Sequence, residues 1–226
     1  MTTFVDLSHT FEDGMPGFTM TDDAGTAVEY TAEVRPFLTH EQSAPFYAEG
    51  CSFEISELRF QTSIGTYLDS PAHRYEGRRD VSDLDVEELV LPGVVVDVTG
   101  REAWEAVGPE VLDGVDVAGK AVLFHFGWDA HWGTGRYDAY PFVSPALVDR
   151  LVADEAALVG VDTLNVDDSN DPARPTHTRL LDEEILVVEN LTGLDALLGA
   201  SFRFFGVPLK AREVVAMPIR AFAELS

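Results

Sequence analysis

The chain has 226 residues, 46% of them hydrophobic, and its 40 Asp and Glu against 15 Lys and Arg give a formal net charge of −25. That length and apolar content suit one domain with a sizeable core, expected to span residues 1–226, and the charge excludes nucleic acid and anionic membrane surfaces as partners. Cys51 is the only cysteine, which excludes an intrachain disulfide or a cysteine metal cluster and leaves histidine and carboxylate as the metal donors.

No apolar run approaches the ~20 residues of a spanning helix. Met1 to Asp6 lacks the basic start and apolar segment of a signal peptide, so a soluble, cytoplasmic protein is expected. Lys120 and Lys210 are the only lysines and the acidic residues are spread along the whole chain. That pattern suits a halophilic source, because concentrated salt screens self-repulsion over ~3 Å near 1 M; the alternative is an ordinary acidic protein from a GC-rich genome, which also favours Arg over Lys.

In chain order, residues 1–75 carry Gly14, Pro16, Gly17 and alternating segments such as residues 52–60, which predict hairpins and loops. Short apolar runs rich in β-branched residues then predict strands at 93–98, 121–126, 157–161 and 185–188. Helices are predicted between them at 102–107 and 145–154, the second with Ser144 as N-cap and Pro145 at its first position. Residues 201–221 read as strand again, with Pro208 and Pro218 favouring edges or turns. Strands alternating with helices predict an α/β domain built on a mixed sheet.

The chemistry concentrates in three places. In Ser63-Ile64-Gly65-Thr66-Tyr67-Leu68-Asp69-Ser70-Pro71-Ala72-His73, Gly65 permits tight backbone geometry and Pro71 stiffens the turn. Asp69 is a hard oxygen donor, and His73 either coordinates an ion or moves a proton near neutral pH. His177 lies in a polar stretch, residues 163–180, which is long for a passive connection. Glu189 follows the strand at 185–188, and the C-terminal ends of strands are where α/β sheets present ligands. On residue types alone, plainer roles stand beside these: a turn cap for Asp69, a structural His73, an exposed loop His177, and a helix cap near Thr192 for Glu189.

The 63–73 loop resembles H-x-G-T-H-x-D-x-P-x-H, the signature of the cyclase family that includes kynurenine formamidases and isatin hydrolases. Gly65, Thr66, Asp69, Pro71 and His73 match it, whereas Ser63 and Tyr67 stand at two histidine positions. Asp6-Leu7-Ser8-His9 with Gly14-Met15-Pro16, Phe126-Gly127-Trp128, Gly160-Val161-Asp162-Thr163, Pro208-Leu209-Lys210 and Pro218-Ile219-Arg220-Ala221 resemble further family elements, in order.

The resemblance implies a swivelling β/β/α fold with a mixed sheet, assembled as a homodimer or homotetramer. It implies a hydrolase that cleaves a C–N or C–O bond of a small amide, formamide, lactam or lactone, arylformamidase-like, with a metal-activated water. Carried over by position, Asp69, His177 and Glu189 are expected to bind one divalent ion, Zn or Mn, and His73 to act as acid and base. A second ion is not expected, since a serine hydroxyl is a poor zinc ligand and tyrosine binds only as phenolate, with an ordinary pKa of about 10. Tyr67 would then stabilise the oxyanion or line the pocket. The alternative is a metal-free member, either a small-molecule-binding protein or an acid/base cyclase using Tyr67, Asp69 and His73. Trp128, Trp132, Tyr137 and Tyr140 read as core or as an aromatic wall, His9 as structural and His125 as core.

Overall fold

The computed structural model describes residues 3–21 and 23–225; the Met1-Thr2 start of the segment read above for a signal peptide lies outside them. The described chain falls into two units, Met1–His9 with Thr66–Ser226, and Thr10–Gly65.

The larger unit is built on one nine-stranded sheet in the order Thr3–Asp6, Phe222–Leu225, Phe202–Phe205, Val90–Asp97, Ala121–His125, Leu158–Val161, Leu186–Glu189, Tyr67–Asp69, Ala216–Pro218. The four strands from Val90–Asp97 to Leu186–Glu189 run parallel, and the flanking strands pair antiparallel. This is the mixed α/β architecture expected.

Parallel strands covered on both faces need apolar side chains on both. Ala121–His125, Leu158–Val161 and Leu186–Glu189 are accordingly buried at every position. Val122, Phe124, Val159, Val161 and Val187 pack on one side with helix residues Leu147, Leu151, Leu180 and Leu181. Ala121, Leu123, Leu158, Leu186 and Val188 face the other, with Leu68, Leu91 and Phe204. Each large apolar side chain so buried contributes about 1.5–3 kcal/mol. Gly160 is required by this packing, because a Cβ there would sit 2.6 Å from the Leu123 side chain and 2.7 Å from that of Leu191.

The helix Pro145–Ala153 starts as expected, with the Ser144 side chain accepting from the Leu147 N–H at 3.2 Å and Pro145 in the first turn. Pro218 closes an edge strand, where its missing N–H costs no ladder bond. Two expectations are corrected. Residues 102–107 form no helix: Trp104 has φ +64, and Ala106–Val107 pairs as a short parallel strand with Phe142–Val143. The left-handed Trp104 breaks the turn that a helix would need there. Conversely, the polar stretch at 163–180 is not loop throughout, because Pro175–Asp182 is helical. Pro175 is preset for the first turn, and Leu180 and Leu181 anchor the segment in the core.

The Thr10–Gly65 unit contains the hairpin Glu33–Leu38 with Ile55–Arg59, bulged between Pro36 and Leu38. It also holds the short pair Met20–Thr21 with Ala27–Val28, and a helix His40–Ser43 capped by Thr39. Gly65 takes φ +62, a left-handed conformation that glycine adopts without a Cβ clash. No described helix is long and apolar enough to cross a membrane.

Candidate active site

Sheet register assembles the site. Tyr67–Asp69 pairs antiparallel with Leu186–Glu189 so that Glu189 lies opposite Tyr67 and Val187 opposite Asp69. Alternation along a strand therefore puts Tyr67, Asp69 and Glu189 on one face. After Asp69 the chain turns through the 3-10 segment Pro71–His73, closed by the His73 N–H donating to the Ser70 carbonyl at 2.9 Å. That turn brings His73 Nδ1 to 3.3 Å from Asp69 Oδ1. His177 arrives from the helix Pro175–Asp182 and places Nε2 3.5 Å from Asp69 Oδ2 and 3.3 Å from Glu189 Oε1.

The residues differ in how they meet solvent. Asp69 and Glu189 are fully buried and the His177 side chain is 5% exposed, whereas that of His73 is 31% exposed. His73 is thus the member that can exchange a proton with water. Both Asp69 oxygens are buried without a hydrogen-bond partner, their imidazole contacts being close enough for ionic attraction but not aligned as hydrogen bonds. A buried carboxylate without donors is costly unless positive charge faces it.

Asp69, His73 and His177 each offer a donor atom within 4.8 Å of the others. His73, expected as acid and base, thus lies among these donors, and Glu189 Oε1, expected as a ligand, lies 3.3 Å from His177 Nε2. Glu189 is already engaged, its Oε1 accepting from the Val166 N–H at 2.7 Å and its Oε2 from the Tyr67 hydroxyl. Ser63 belongs to the other unit.

Burial above all, then the Glu189 and Asp69 charges, push the Tyr67 phenol well above its ordinary range. Its hydroxyl donates to Glu189 Oε2. Burial alone would lower the His177 pKa, but Glu189, Asp167 and Asp69 together outweigh it and hold it well above the usual histidine value.

Asp167 is the residue sequence reasoning missed. Arg174, at the N-cap position of the helix, has φ 47 and makes no side-chain cap. Asp167 supplies the cap from outside, accepting from Thr176 N–H at 2.6 Å and His177 N–H at 3.0 Å, while its Oδ2 lies 2.7 Å from His177 Nδ1. These bonds fix the imidazole with Nε2 toward Asp69. The run Asn165-Val166-Asp167-Asp168 carries no spacing signal for this role; only the fold back of the chain brings Asp167 to the helix start.

Among the other candidates, His9 stacks on Trp132 with ring centres 3.9 Å apart and an interplanar angle of 6°. Burial keeps its pKa low against the pull of Asp129. Trp132 meets Tyr137 edge-on, and the Tyr137 hydroxyl donates to Asn190 Oδ1 at 2.9 Å, beside Glu189. Trp128, Tyr137 and Tyr140 are core residues. His125 is buried, with Nδ1 3.0 Å from Asp162, whose carboxylate also accepts from the Phe126 and Gly127 N–H groups.

Residues 5–168 match a family model described as "Putative cyclase". The chain is 24% identical to a kynurenine formamidase of Delftia acidovorans over 204 residues, covering 88% of this chain and 94% of the relative. It superposes with TM-score 0.84 and 18% identity on an isatin hydrolase bound to the product analogue thioisatinate, covering 99% and 92% of the two chains. A protein described as a potential metal-dependent hydrolase with cyclase activity superposes with TM-score 0.75 and 19% identity, covering 99% and 98%.

Proposed function

We propose that this chain, which belongs to the cyclase family, is a hydrolase that cleaves a C–N or C–O bond of a small amide, formamide, lactam or lactone with the help of one divalent ion. The observation that carries the reading is the Asp69 carboxylate, buried with both oxygens unbonded between two imidazoles. That donor chemistry, one carboxylate and two imidazole nitrogens, fits Zn or Mn. A bound ion supplies Lewis acidity and brings the ionisation of adjacent water to about pH 7.

The chain's own residues do the rest. Asp69 and His177 would hold the ion, with His73 or Glu189 as third donor. Asp167 fixes the His177 ring. Tyr67, kept neutral, holds Glu189 in place. His73, about a third exposed, would pass a proton to the leaving nitrogen or oxygen, which is possible while it is not itself a ligand. Support for amide chemistry comes from relatives that are named for kynurenine formamide and isatin hydrolysis.

Metal analysis of the purified protein tests this reading. About one ion per chain is expected, lost in both Asp69→Ala and His177→Ala. Comparing Glu189→Ala with His73→Ala identifies the third donor. Wild-type protein without a stoichiometric ion would sink the metal-assisted reading. Turnover of N-formylkynurenine and of isatin then separates formamide from lactam chemistry.

The three carboxylates around His177 favour one second reading. With its pKa held high, an imidazolium there would itself supply the compensating charge. The protein would then be a metal-free binding protein or acid/base cyclase. Full activity or ligand binding after exhaustive chelation supports it.

A further inference from the structure

Six described residues other than glycine have a left-handed backbone, and Asn190, with φ +58, is the buried one among them. It directly follows Glu189 and ends the strand Leu186–Glu189. A side chain with a Cβ is costly in that conformation, which persists where the surroundings over-determine it. Asparagine tolerates it better than most residues.

Three segments hold Asn190 in place. Its N–H donates to the Thr163 carbonyl at 3.1 Å, and the next N–H, that of Leu191, donates to the Val161 carbonyl at 2.9 Å. Its own carbonyl accepts from the Thr66 hydroxyl at 2.6 Å, and its Oδ1 accepts from the Tyr137 hydroxyl at 2.9 Å. Thr66 and Thr163 belong to the 63–73 and 160–163 motifs without being ligands or proton carriers, and residue 190 is where the two motifs meet.

Glu189 needs such a fixed backbone. Its carboxylate is fully buried, and the two oxygens reach partners on different segments, the Val166 N–H at 2.7 Å and the Tyr67 hydroxyl. A short side chain links them to the strand end, so a rotation of the backbone at 189–190 breaks one bond or both and leaves a buried charge unsatisfied.

We infer that Asn190 is the positioning residue of Glu189: its left-handed turn, fastened by Thr66 and Tyr137, fixes the direction in which the carboxylate leaves the sheet. Only the place of Glu189 in the site is taken from the proposed function. Glycine would permit the turn without a Cβ clash, whereas alanine strains the turn and also loses the Tyr137 bond.

Urea unfolding of the metal-free full chain tests this through double-mutant cycles with Tyr67→Phe. In the wild type that change should raise the unfolding constant by about 5- to 150-fold, the effect of leaving a buried acceptor without its donor. In an Asn190→Ala background the same change should cost no more than about twofold, the additivity error of such cycles, because Glu189 has already left Tyr67. Asn190→Gly, which keeps the turn, should retain most of the wild-type effect. A merely structural role would destabilise both variants and leave the Tyr67→Phe effect intact in both. If Asn190→Ala fails to fold, Thr66→Val replaces it with the same expectation, since it keeps the shape of Thr66 and removes only the hydroxyl that holds the Asn190 carbonyl.

Competition between Zn(II) and a chelator supplies a second readout. Asn190→Ala should add no more than about twofold to the loss of affinity caused by Glu189→Gln, since it acts through that side chain. A wild type that binds no Zn(II) counts against the metal-assisted reading alone, because the unfolding cycle needs no ion. A full Tyr67→Phe effect in Asn190→Ala, equal behaviour of the alanine and glycine variants, or a further tenfold loss of Zn(II) affinity beyond Glu189→Gln would overturn the inference.

Discussion

Replacing Asp167 probes the link between fold and site most directly. Asp167→Ala removes three contacts at once: the two N–H bonds at the start of helix Pro175–Asp182 and the partner of His177 Nδ1. Losing a helix cap costs about 1 kcal/mol, losing a carboxylate at a helix N-terminus ~0.5 kcal/mol, and breaking a hydrogen bond between charged groups about 1.5–3 kcal/mol. The expected loss is about 4 kcal/mol, or ~10 °C in Tm at roughly 2–4 °C per kcal/mol for a chain of this size.

Asp167→Asn is the sharper variant. Its single carbonyl oxygen keeps either the Thr176 N–H bond or the two His177 contacts, and the amide faces the other set. It should cost only about 1–3 kcal/mol, yet weaken metal binding by about 10–100-fold, the usual effect of losing a partner to a ligating histidine. Urea unfolding measures the first quantity and competition with a chelator the second. If Asp167→Ala costs less than about 1 kcal/mol, or Asp167→Asn binds metal like the wild type, the capping and orienting role assigned to Asp167 is wrong.

Four further outcomes follow from the same geometry. Tyr67→Phe leaves Glu189 Oε2 without its donor and should lower stability by about 1–3 kcal/mol; an unchanged unfolding midpoint would refute the bond. Tyr67→His would put an imidazole donor on the same sheet face as Asp69 and Glu189 and should raise bound metal above the wild-type content, and metal analysis showing no gain would contradict the ligand argument. The Asp162 bond, then its charge, raises the His125 pKa in the folded state despite burial. The stability this supplies is fully present below the unfolded value of about 6.5 and lost as pH rises through the folded value, so the cost of His125→Gln should be larger at acid than at alkaline pH; a pH-independent cost would refute it. Given a net charge of −25, Tm should rise between about 0.1 and 1 M NaCl, and a flat salt series would argue against the halophilic reading.

The sheet was legible where burial is two-sided. The runs at 121–126, 157–161 and 185–188 are continuous apolar segments because both faces of a parallel strand are covered, and they lie within a residue or two of the observed strands. The Ser144-Pro145 start was legible because a cap is a local device. Residues 102–107 misled, since a short amphipathic run does not reveal that Trp104 is left-handed. The helix at 175–182 was hidden because its cap is supplied by Asp167, eight residues upstream of Pro175, where local pattern has no reason to look.

By itself the sequence determined the family motif, the apolar strands and the chemical types available: one cysteine, few lysines, and Asp69, His73, His177 and Glu189 as donors. These are properties of residue identity and short spacing. Only the tertiary structure decided which donors converge. Strand register set Tyr67 against Glu189, a 3-10 turn carried His73 back to Asp69, and a cap from the loop upstream of the helix aimed His177 at both carboxylates. The contacts of Tyr67 with Glu189 and of Asp69 with His177 join segments more than 100 residues apart, and the free energy that selects that pairing comes from the buried sheet faces, not from the site residues.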